Sequence, residues 1–424
     1  MKNEKENSFE KDSILIFCMM MLGNVFGVLF QLLSGRVLKS IDLYADLNVL
    51  FSFYTILIWP ASVITYIVTR YVSMYDNSGK QGCINVFLKR TVSIVIGVAL
   101  FITIVGVITK KKIADFLRIN NSQLIVLIIV LVDVALFQAV INGGFQGTKS
   151  FFEYGLMTLL GQICKIISLV IVINKNNQLV LLFSVLLCGT IVTMLVGIIG
   201  IRKKIKGIQN ENLKIEKREL YRYCIISIIA NIGLTLLANI DMILVKYYFN
   251  DEAGLYSVAI VLGKIITYFA GAIVVVLFPF AVSAGKDTNS AINLLKKSIF
   301  YNSFLTVIAA FVLNIIGKYI IYFIYGSTYE SAINYLHPVT LLVMPIGIIT
   351  VIFNYVLARA ECRSIISILI IGIMIEILVV VINHSNLTVS IFEMALVLWI
   401  TLIMSLIKMS LIYKKDKEIH EEEV

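Results

Sequence analysis

Charged residues, proline and histidine are scarce in this sequence. Only 15% of the 424 residues are charged and 59% are hydrophobic, whereas a soluble globular domain has about 25% charged and about 45–50% apolar residues. The four prolines and three histidines are scattered, and low-complexity stretches are absent. A water-soluble fold could not bury so much apolar surface. The composition therefore excludes soluble enzymes, coiled coils and secreted disulfide scaffolds, and it indicates a membrane protein.

Motifs for metal, nucleotide or disulfide chemistry are also missing. The six cysteines stand singly and never as CxxC, so we interpret them as small buried hydrophobic residues. The sequence contains neither a P-loop nor an HExxH motif. The net charge of +10 is interpreted as charge on cytoplasmic loops rather than as a nucleic-acid surface. We therefore expect no cofactor and no nucleic-acid partner.

Long apolar runs make up most of the chain. Because a spanning helix needs about 20 apolar residues, we predict an all-α membrane fold with twelve transmembrane helices joined by short loops. The runs are 13–34, 47–69, 91–109, 123–142, 155–173, 179–201, 224–249, 255–282, 299–324, 338–359, 364–383 and 387–412. Pro60 and Pro279 predict bends in the second and eighth helices.

The distribution of lysine and arginine predicts the orientation. With the N-terminus inside, 24 of the 36 basic residues fall in cytoplasmic segments and nine on the external side, where Lys246 and Lys318 are counted although they lie within apolar runs, towards the external ends. The positive-inside rule then places both termini in the cytoplasm. The one contrary signal is the triplet Lys110-Lys111-Lys112, which falls on the external side. We expect a multi-pass protein of the bacterial cytoplasmic membrane.

A polar, basic loop at 202–222 divides the chain nearly in half. We predict an N-terminal six-helix lobe at 1–208 and a C-terminal six-helix lobe at 209–424. An even number of helices in each half predicts a parallel repeat, with a pseudo-two-fold axis along the membrane normal. Positions 207 residues apart offer modest support, since Asn24, Gly27, Gln31 and Ser34 correspond to Asn231, Leu234, Ala238 and Asp241. The GxxxG pair Gly23 and Gly27 predicts close helix packing.

Ionisable residues deep in the runs are the candidate functional residues, because a charge at the bilayer centre costs about 2.5–3.5 kcal/mol on insertion scales. We predict that Lys165 and Lys264 line a cavity for an anionic substrate. The polar residues Gln162, Asn231, Asn24 and Gln31 are further substrate-binding candidates. The carboxylates Asp133, Asp241 and Glu376 could exchange protons or hold sodium. The alternative is that Asp241 pairs with Lys264, and Asp133 with Lys165, as structural ion pairs.

Two segments resemble a known family. The stretch 239–245 (NIDMILV), followed by 253–259 (AGLYSVA), resembles the helix seven–eight junction of bacterial polysaccharide flippases. The segment 142–151 (NGGFQGTKSF) resembles their helix four–five loop. These flippases, the Wzx-like O-antigen and capsule transporters, belong to the superfamily of multidrug, oligosaccharidyl-lipid and polysaccharide (MOP) exporters. The resemblance implies a MATE-like fold with two six-helix lobes around a central cavity.

The resemblance also implies a function and partners. The expected activity is transfer of an isoprenoid-diphosphate-linked oligosaccharide to the outer leaflet, by alternating access coupled to an H⁺ or Na⁺ gradient. The expected partners are the lipid-linked oligosaccharide, membrane lipids, and the polysaccharide polymerase and glycosyltransferases of the same pathway, with the protein itself a monomer. Two alternatives stay open. One is a cation-coupled MATE-type drug exporter, and the other is a membrane-embedded polysaccharide polymerase or acyltransferase, although the helices contain no histidine and no large external loop is present.

Overall fold

The computed structural model describes residues 19, 22–205, 228–229, 231–267, 288–359 and 363–422, and these are almost entirely helical, without strands. The helices, numbered in chain order, are α1 (Leu22–Val37), α2 (Ile41–Leu57), α3 (Trp59–Asn77), α4 (Gln81–Phe116), α5 (Gln123–Gly147), α6 (Phe151–Val172), α7 (Gln178–Ile205), α8 (231–237), α9 (Ile240–Tyr248), α10 (Ala253–Thr267), α11 (Thr288–Tyr325), α12 (Ile333–Arg359), α13 (Arg363–Ile382) and α14 (Leu387–Glu422). A 3₁₀ helix, Ser327–Ala332, joins α11 to α12.

Every predicted apolar run overlaps one or two of these helices. Among the described residues, seven helices are long and apolar enough to cross a membrane, or eight if α2 and α3 count as one bent span. The remaining runs coincide with shorter apolar helices or extend outside the described residues, as the eighth run does after residue 267. The all-α membrane fold is therefore confirmed.

The predicted bend in the second span is found where α2 meets α3. The two helices meet at an angle of 40°, and Pro60 lies in the first turn of α3. Proline is tolerated there because the first N–H groups of a helix have no partner within it. Pro279, the second predicted bend, lies outside the described residues.

The segment expected to be the helix four–five loop is largely helical. Helix α5 continues to Gly147, so that only residues 148–150 connect it to α6. The glycines of this stretch allow it to pack closely against α3. A Cβ added to Gly143 or Gly147 would lie 2.7 or 2.6 Å from the Cβ of Val68 or Val72 on α3. Glycine allows the two helix backbones to approach closely, as is common between transmembrane helices.

The first of two compact units contains residues 1–43 and 53–224. Within it, α5 packs against α3, α4, α6 and α7. Its core includes Val68, Val72, Val132 and Leu136, all of which are fully buried. The opposite face of α4 stays exposed, with Phe101 at 67%, and an apolar face of this kind on a spanning helix suits contact with lipid.

The second compact unit contains residues 44–52 and 225–424. Within it, α12 packs against α11 and α14, and α13 packs against α14 and α9. The indole Nε1 of Trp399 on α14 donates a 3.0 Å hydrogen bond to the carbonyl of Leu341 on α12. Residues 44–52 were not expected in this unit. The predicted lobe boundary at 208–209 lies outside the described residues, and the pseudo-two-fold axis stays a prediction.

Candidate functional site: buried polar groups on the spanning helices

The seventh span is broken near its middle, between α8 and α9. Residues 238 and 239 form a turn, and the side-chain Nδ2 of Asn239 donates to the carbonyl of Thr235 at 2.9 Å. The ammonium Nζ of Lys264, on α10, donates to Oδ1 of the same asparagine at 3.2 Å. Interrupted spans of this kind expose backbone and side-chain polar groups inside a membrane protein. The break thus provides a polar anchor for Lys264.

Asp241 lies in the first turn of α9, immediately after the break, and is 3% exposed. Tyr256 of α10 donates its hydroxyl to Oδ2 of this carboxylate at 2.6 Å. A negative charge is also favoured at this position by the N-terminal end of the helix dipole. Asp241 lies in the segment 239–245 and Tyr256 in the segment 253–259. The hydrogen bond therefore links the two segments that carry the resemblance at the helix seven–eight junction.

Glu376 of α13 is fully buried. Neither of its carboxylate oxygens has a hydrogen-bond partner among the described residues. It lies close enough to Asp241 for the two carboxylates to interact electrostatically. Oδ1 of Asp241 also lacks a partner in the described part of the chain. Buried carboxylates in spanning segments are typical of ion and proton pathways, and these two, with the hydroxyl of Tyr256, offer oxygen donors to a small cation.

In the first unit, Gln162 of α6 packs against α1. A Cβ added to Gly27 would lie 3.4 Å from Oε1 of Gln162, and one added to Gly23 would lie 3.7 Å from the methyl group of Thr158. Helices α1 and α6 are thus in contact here, but a Cβ at either glycine would make only ordinary van der Waals contacts, so the close-packing role of the Gly23 and Gly27 pair stays a prediction. The glutamine belongs to this helix interface, one turn before Lys165.

Lys165 is half-buried on α6, and no ion pair involving it is found among the described residues. Its expected alternative partner, Asp133 of α5, instead accepts a short hydrogen bond from the hydroxyl of Thr103 on α4. An ion pair between Asp241 and Lys264 is likewise not found in the described residues, since each has a neutral hydrogen-bond partner. Neither of the two ion pairs weighed as alternatives is found.

The predicted site residues thus fall into separate groups. Lys264, Asp241 and Glu376 come together in the second unit, whereas Lys165 and Gln162 share one face of α6 in the first. Among the other candidates, Asn24 is exposed on α1, and Gln31 and Asn231 are half-buried on α1 and α8.

Two features of the second unit were missed by sequence reasoning. Lys246 was counted among the external basic residues, but it lies inside α9, 3% exposed, with its Nζ 2.6 Å from Oδ1 of Asp46. Its position within the seventh apolar run was the feature of the sequence that could have indicated its burial. Tyr256 lies in the segment 253–259, but nothing in the sequence distinguishes it from the other tyrosines as a partner for Asp241.

Comparison with solved structures shows a MATE-like fold. An outward-facing multidrug resistance MATE family transporter of the MOP superfamily matches with a TM-score of 0.73 at 12% identity, covering 96% of each chain. A MOP superfamily transporter from Pyrococcus furiosus, described by the reverse polarity of its binding pocket, matches with 0.71 at 13% identity, covering 95% of this chain and 96% of that one. The lipid II flippase MurJ, in an inward closed conformation, matches with 0.70 at 15% identity, covering 94% of this chain and 87% of that one.

The sequence itself identifies the family. Residues 84–334, more than half of the chain, match the family model described as polysaccharide biosynthesis protein. The chain belongs to this polysaccharide biosynthesis family and is a multi-pass membrane protein with the MATE-like fold. A search of the curated proteins found no significant match.

Proposed function

We propose that this protein is a flippase that carries an isoprenoid-diphosphate-linked oligosaccharide across the bacterial cytoplasmic membrane for synthesis of a surface polysaccharide. The observation that carries the proposal is the match to the polysaccharide biosynthesis family in a chain that has the fold of MOP transporters. Polysaccharide synthesis requires that a lipid-linked intermediate made inside reach the outer leaflet. A polytopic helical protein whose described residues form no large extramembranous domain suits that step better than it suits catalysis.

The two deep lysines support an anionic substrate. The diphosphate group of the lipid-linked substrate is negatively charged. An ammonium group in a low-dielectric environment attracts such a group strongly. Lys165 has no carboxylate partner among the described residues, and Lys264 is held by the neutral side chain of Asn239. Both are therefore candidates to bind the diphosphate, with Gln162, Asn24, Gln31 and Asn231 as candidates for contacts to the sugar.

The buried carboxylates support coupling to an ion gradient. Asp241 and Glu376 would take up H⁺ or Na⁺ in the second unit, where their oxygens lack partners in the described part of the chain. Asp133 would act separately in the first unit, with Thr103 as its hydrogen-bond donor. Ion binding would then bias the exchange between inward-open and outward-open states, because a ligand shifts such an equilibrium by its difference in affinity for the two states.

A cation-coupled drug exporter is the second candidate function. The observation that favours it is the pair of buried carboxylates Asp241 and Glu376, which interact electrostatically with each other, while Lys264 interacts with Asp241. An acidic environment would suit an organic cation.

We also propose that the flippase acts as a monomer, together with the polymerase and glycosyltransferases of its pathway.

Transport by the purified protein in vesicles separates the two candidates. A fluorescently labelled isoprenoid-diphosphate oligosaccharide should move between leaflets, whereas an organic dye cation should not cross. Lys165→Ala and Lys264→Ala should each reduce flipping by roughly 10–100-fold, the equivalent of losing a charge-assisted contact of about 1.5–3 kcal/mol. Lys89→Ala, which changes an exposed lysine on α4, is the matched control. Dye transport without movement of the lipid-linked sugar would instead identify the drug exporter.

A further inference from the structure

A pair of aromatic rings lies where α9 and α13 end, away from the deep ionisable residues of the second unit. The ring of His384, which is exposed, packs on the half-buried ring of Tyr248, with 4.7 Å between the centroids and 36° between the planes. Tyr247 packs edge-on against Tyr248 at 4.9 Å. The face of an aromatic ring carries partial negative charge, so it attracts the weakly positive C–H groups of a sugar ring. The pair is therefore a platform on which a sugar could stack.

The turn between α13 and α14 holds His384 in place. Oδ1 of Asn386 accepts a backbone N–H of the first turn of α14 at 2.8 Å, and the hydroxyl of Ser390 donates to the carbonyl of Asn383 at 3.0 Å. Nδ1 of His384 lies 3.1 Å from the carbonyl of Val381, which can only accept, so the proton of the neutral ring is on Nδ1 and Nε2 is an acceptor. A turn that is already ordered loses little entropy when a ligand binds.

The same turn offers polar groups beside the rings. Nδ2 of Asn383, the residue before His384, donates to Oε1 of Glu393 at 2.7 Å, and the hydroxyl of Ser385 donates to Oδ1 of Asn383 at 3.1 Å. Oε2 of Glu393 is buried and has no hydrogen-bond partner in the described part of the chain. A buried carboxylate oxygen without a donor is costly, and a ligand that donates hydroxyl or amino groups would remove this cost.

Negative charge predominates at the end of the second unit where α9, α11 and α13 finish and α12 and α14 begin. The basic side chains of the described residues there are Lys246 and Lys318, whereas the acidic ones are Asp46, Asp251, Glu252, Glu330 and Glu393. Asp46 and Lys246 neutralise one another through their ion pair. An excess of negative charge repels an acidic sugar and favours a neutral or positively charged one.

We propose that Tyr248, Asn383, His384 and Glu393, which we call the aromatic surface, bind a neutral sugar or an amino sugar of the transported oligosaccharide. The two rings stack on the apolar face of the sugar, and Glu393 accepts hydrogen bonds from its hydroxyl or amino groups. This inference rests on the proposed flippase activity and names the class of sugar that it carries. The distribution of basic residues predicts that this end of the unit is external, so a sugar bound here has reached the outer leaflet.

Photo-cross-linking tests where a sugar binds and which class it belongs to. The purified full chain would be irradiated with diazirine-labelled tetramers of glucosamine, N-acetylglucosamine or galacturonic acid, and the labelled peptides identified by mass spectrometry. The first two tetramers should label residues within 246–252 or 381–394, and the galacturonic acid tetramer should label them at least about ten-fold less because of its negative charge. No labelling of these ranges by the first two tetramers, or equal labelling by all three, would overturn the proposal.

Variants of the aromatic surface show which side chains bind. His384→Ala should lower labelling by the glucosamine and N-acetylglucosamine tetramers about ten-fold, because the platform loses its exposed ring. Glu393→Gln should lower labelling by the glucosamine tetramer more than by the N-acetylated one, because only the former carries ammonium groups. Tyr301→Ala, which removes an exposed ring paired with Phe300 on α11, and Glu330→Gln, which removes an exposed carboxylate, are the matched controls. Unchanged labelling in His384→Ala, or an equal loss in the controls, would contradict the aromatic surface.

Flipping in vesicles separates failure of this inference from failure of the proposed function. The photo-cross-linking readout requires no transport, so the two measurements are independent. Flipping of the labelled lipid-linked oligosaccharide by a protein whose aromatic surface is not labelled would contradict the aromatic surface alone. The expected labelling in a protein that flips no lipid-linked sugar would instead contradict the proposed function and leave the aromatic surface as a sugar-binding site.

Discussion

Single buried residues determine where an ion could act on this protein. Glu376 is fully buried without a hydrogen-bond partner among the described residues, and the carboxylate of Asp241 acts on it electrostatically. Asp133, in contrast, has the hydroxyl of Thr103 as a donor. An unpartnered buried carboxylate is costly unless it binds a proton or a cation. Glu376 is therefore the stronger of the two candidates for ion coupling.

Glu376→Gln should make flipping insensitive to the ion gradient. The amide has nearly the same volume as the carboxylate but cannot bind a proton or compensate the charge of Na⁺, so the ion would no longer favour either state. The measurement is the rate of flipping in vesicles with and without an imposed pH or Na⁺ gradient. Asp133→Asn is the matched variant in the first unit. If Glu376→Gln retains the full response to both gradients, Glu376 is a structural residue.

The type of candidate residue could be predicted from sequence, but its partner could not. A charged residue within an apolar run is visible because burial is costly whatever the fold, which is why Lys264, Asp241 and Glu376 were identified. Pairing depends on which helices meet. The alternative considered for Lys264 was an ion pair with Asp241, but its hydrogen-bond partner is Asn239, because the break in the seventh span turns that amide towards α10.

At the scale of elements, close helix packing depends on glycine. Gly147→Ala should destabilise the protein by about 1–3 kcal/mol, because the new Cβ would lie 2.6 Å from the Cβ of Val72 and would force α3 and α5 apart. The measurement is the thermal unfolding temperature in detergent. Gly97→Ala is the control, since a Cβ there meets no atom within 4 Å. Equal unfolding temperatures for the two variants would mean that the α3–α5 contact adapts without cost.

Helix positions followed from hydrophobicity, but helix ends did not. An apolar run ends where polar residues begin, whereas a helix ends where its backbone can no longer hydrogen-bond, and the two points differ when a polar segment is packed against another helix. Helix α5 shows the difference, since Asn142 and the residues up to Gly147 stay helical while packing against α3. The break at Asn239 was also unpredictable, because neither proline nor glycine marks it.

At the scale of the whole molecule, the orientation in the membrane is predicted from the distribution of basic residues. The length of α4 removes the one contrary signal for the predicted orientation. At about 1.5 Å per residue, its 36 residues extend ~54 Å, well beyond a hydrocarbon core of about 30 Å. Lys110, Lys111 and Lys112 can therefore lie in water beyond the bilayer at no cost of burial. Their positive charge is only a weak argument against the predicted topology, because more basic residues lie on the opposite side.

Thiol labelling in intact cells measures this orientation directly. In the chain without native cysteines, Lys111→Cys should react with a membrane-impermeant reagent, whereas Lys89→Cys, near the other end of the same helix, should react only after the cells are made permeable. The opposite pattern would place α4 upside down. The end that carries the ion pair of Asp46 and Lys246 would then face the cytoplasm. The two variants on α4 thus test the predicted orientation independently of any transport measurement.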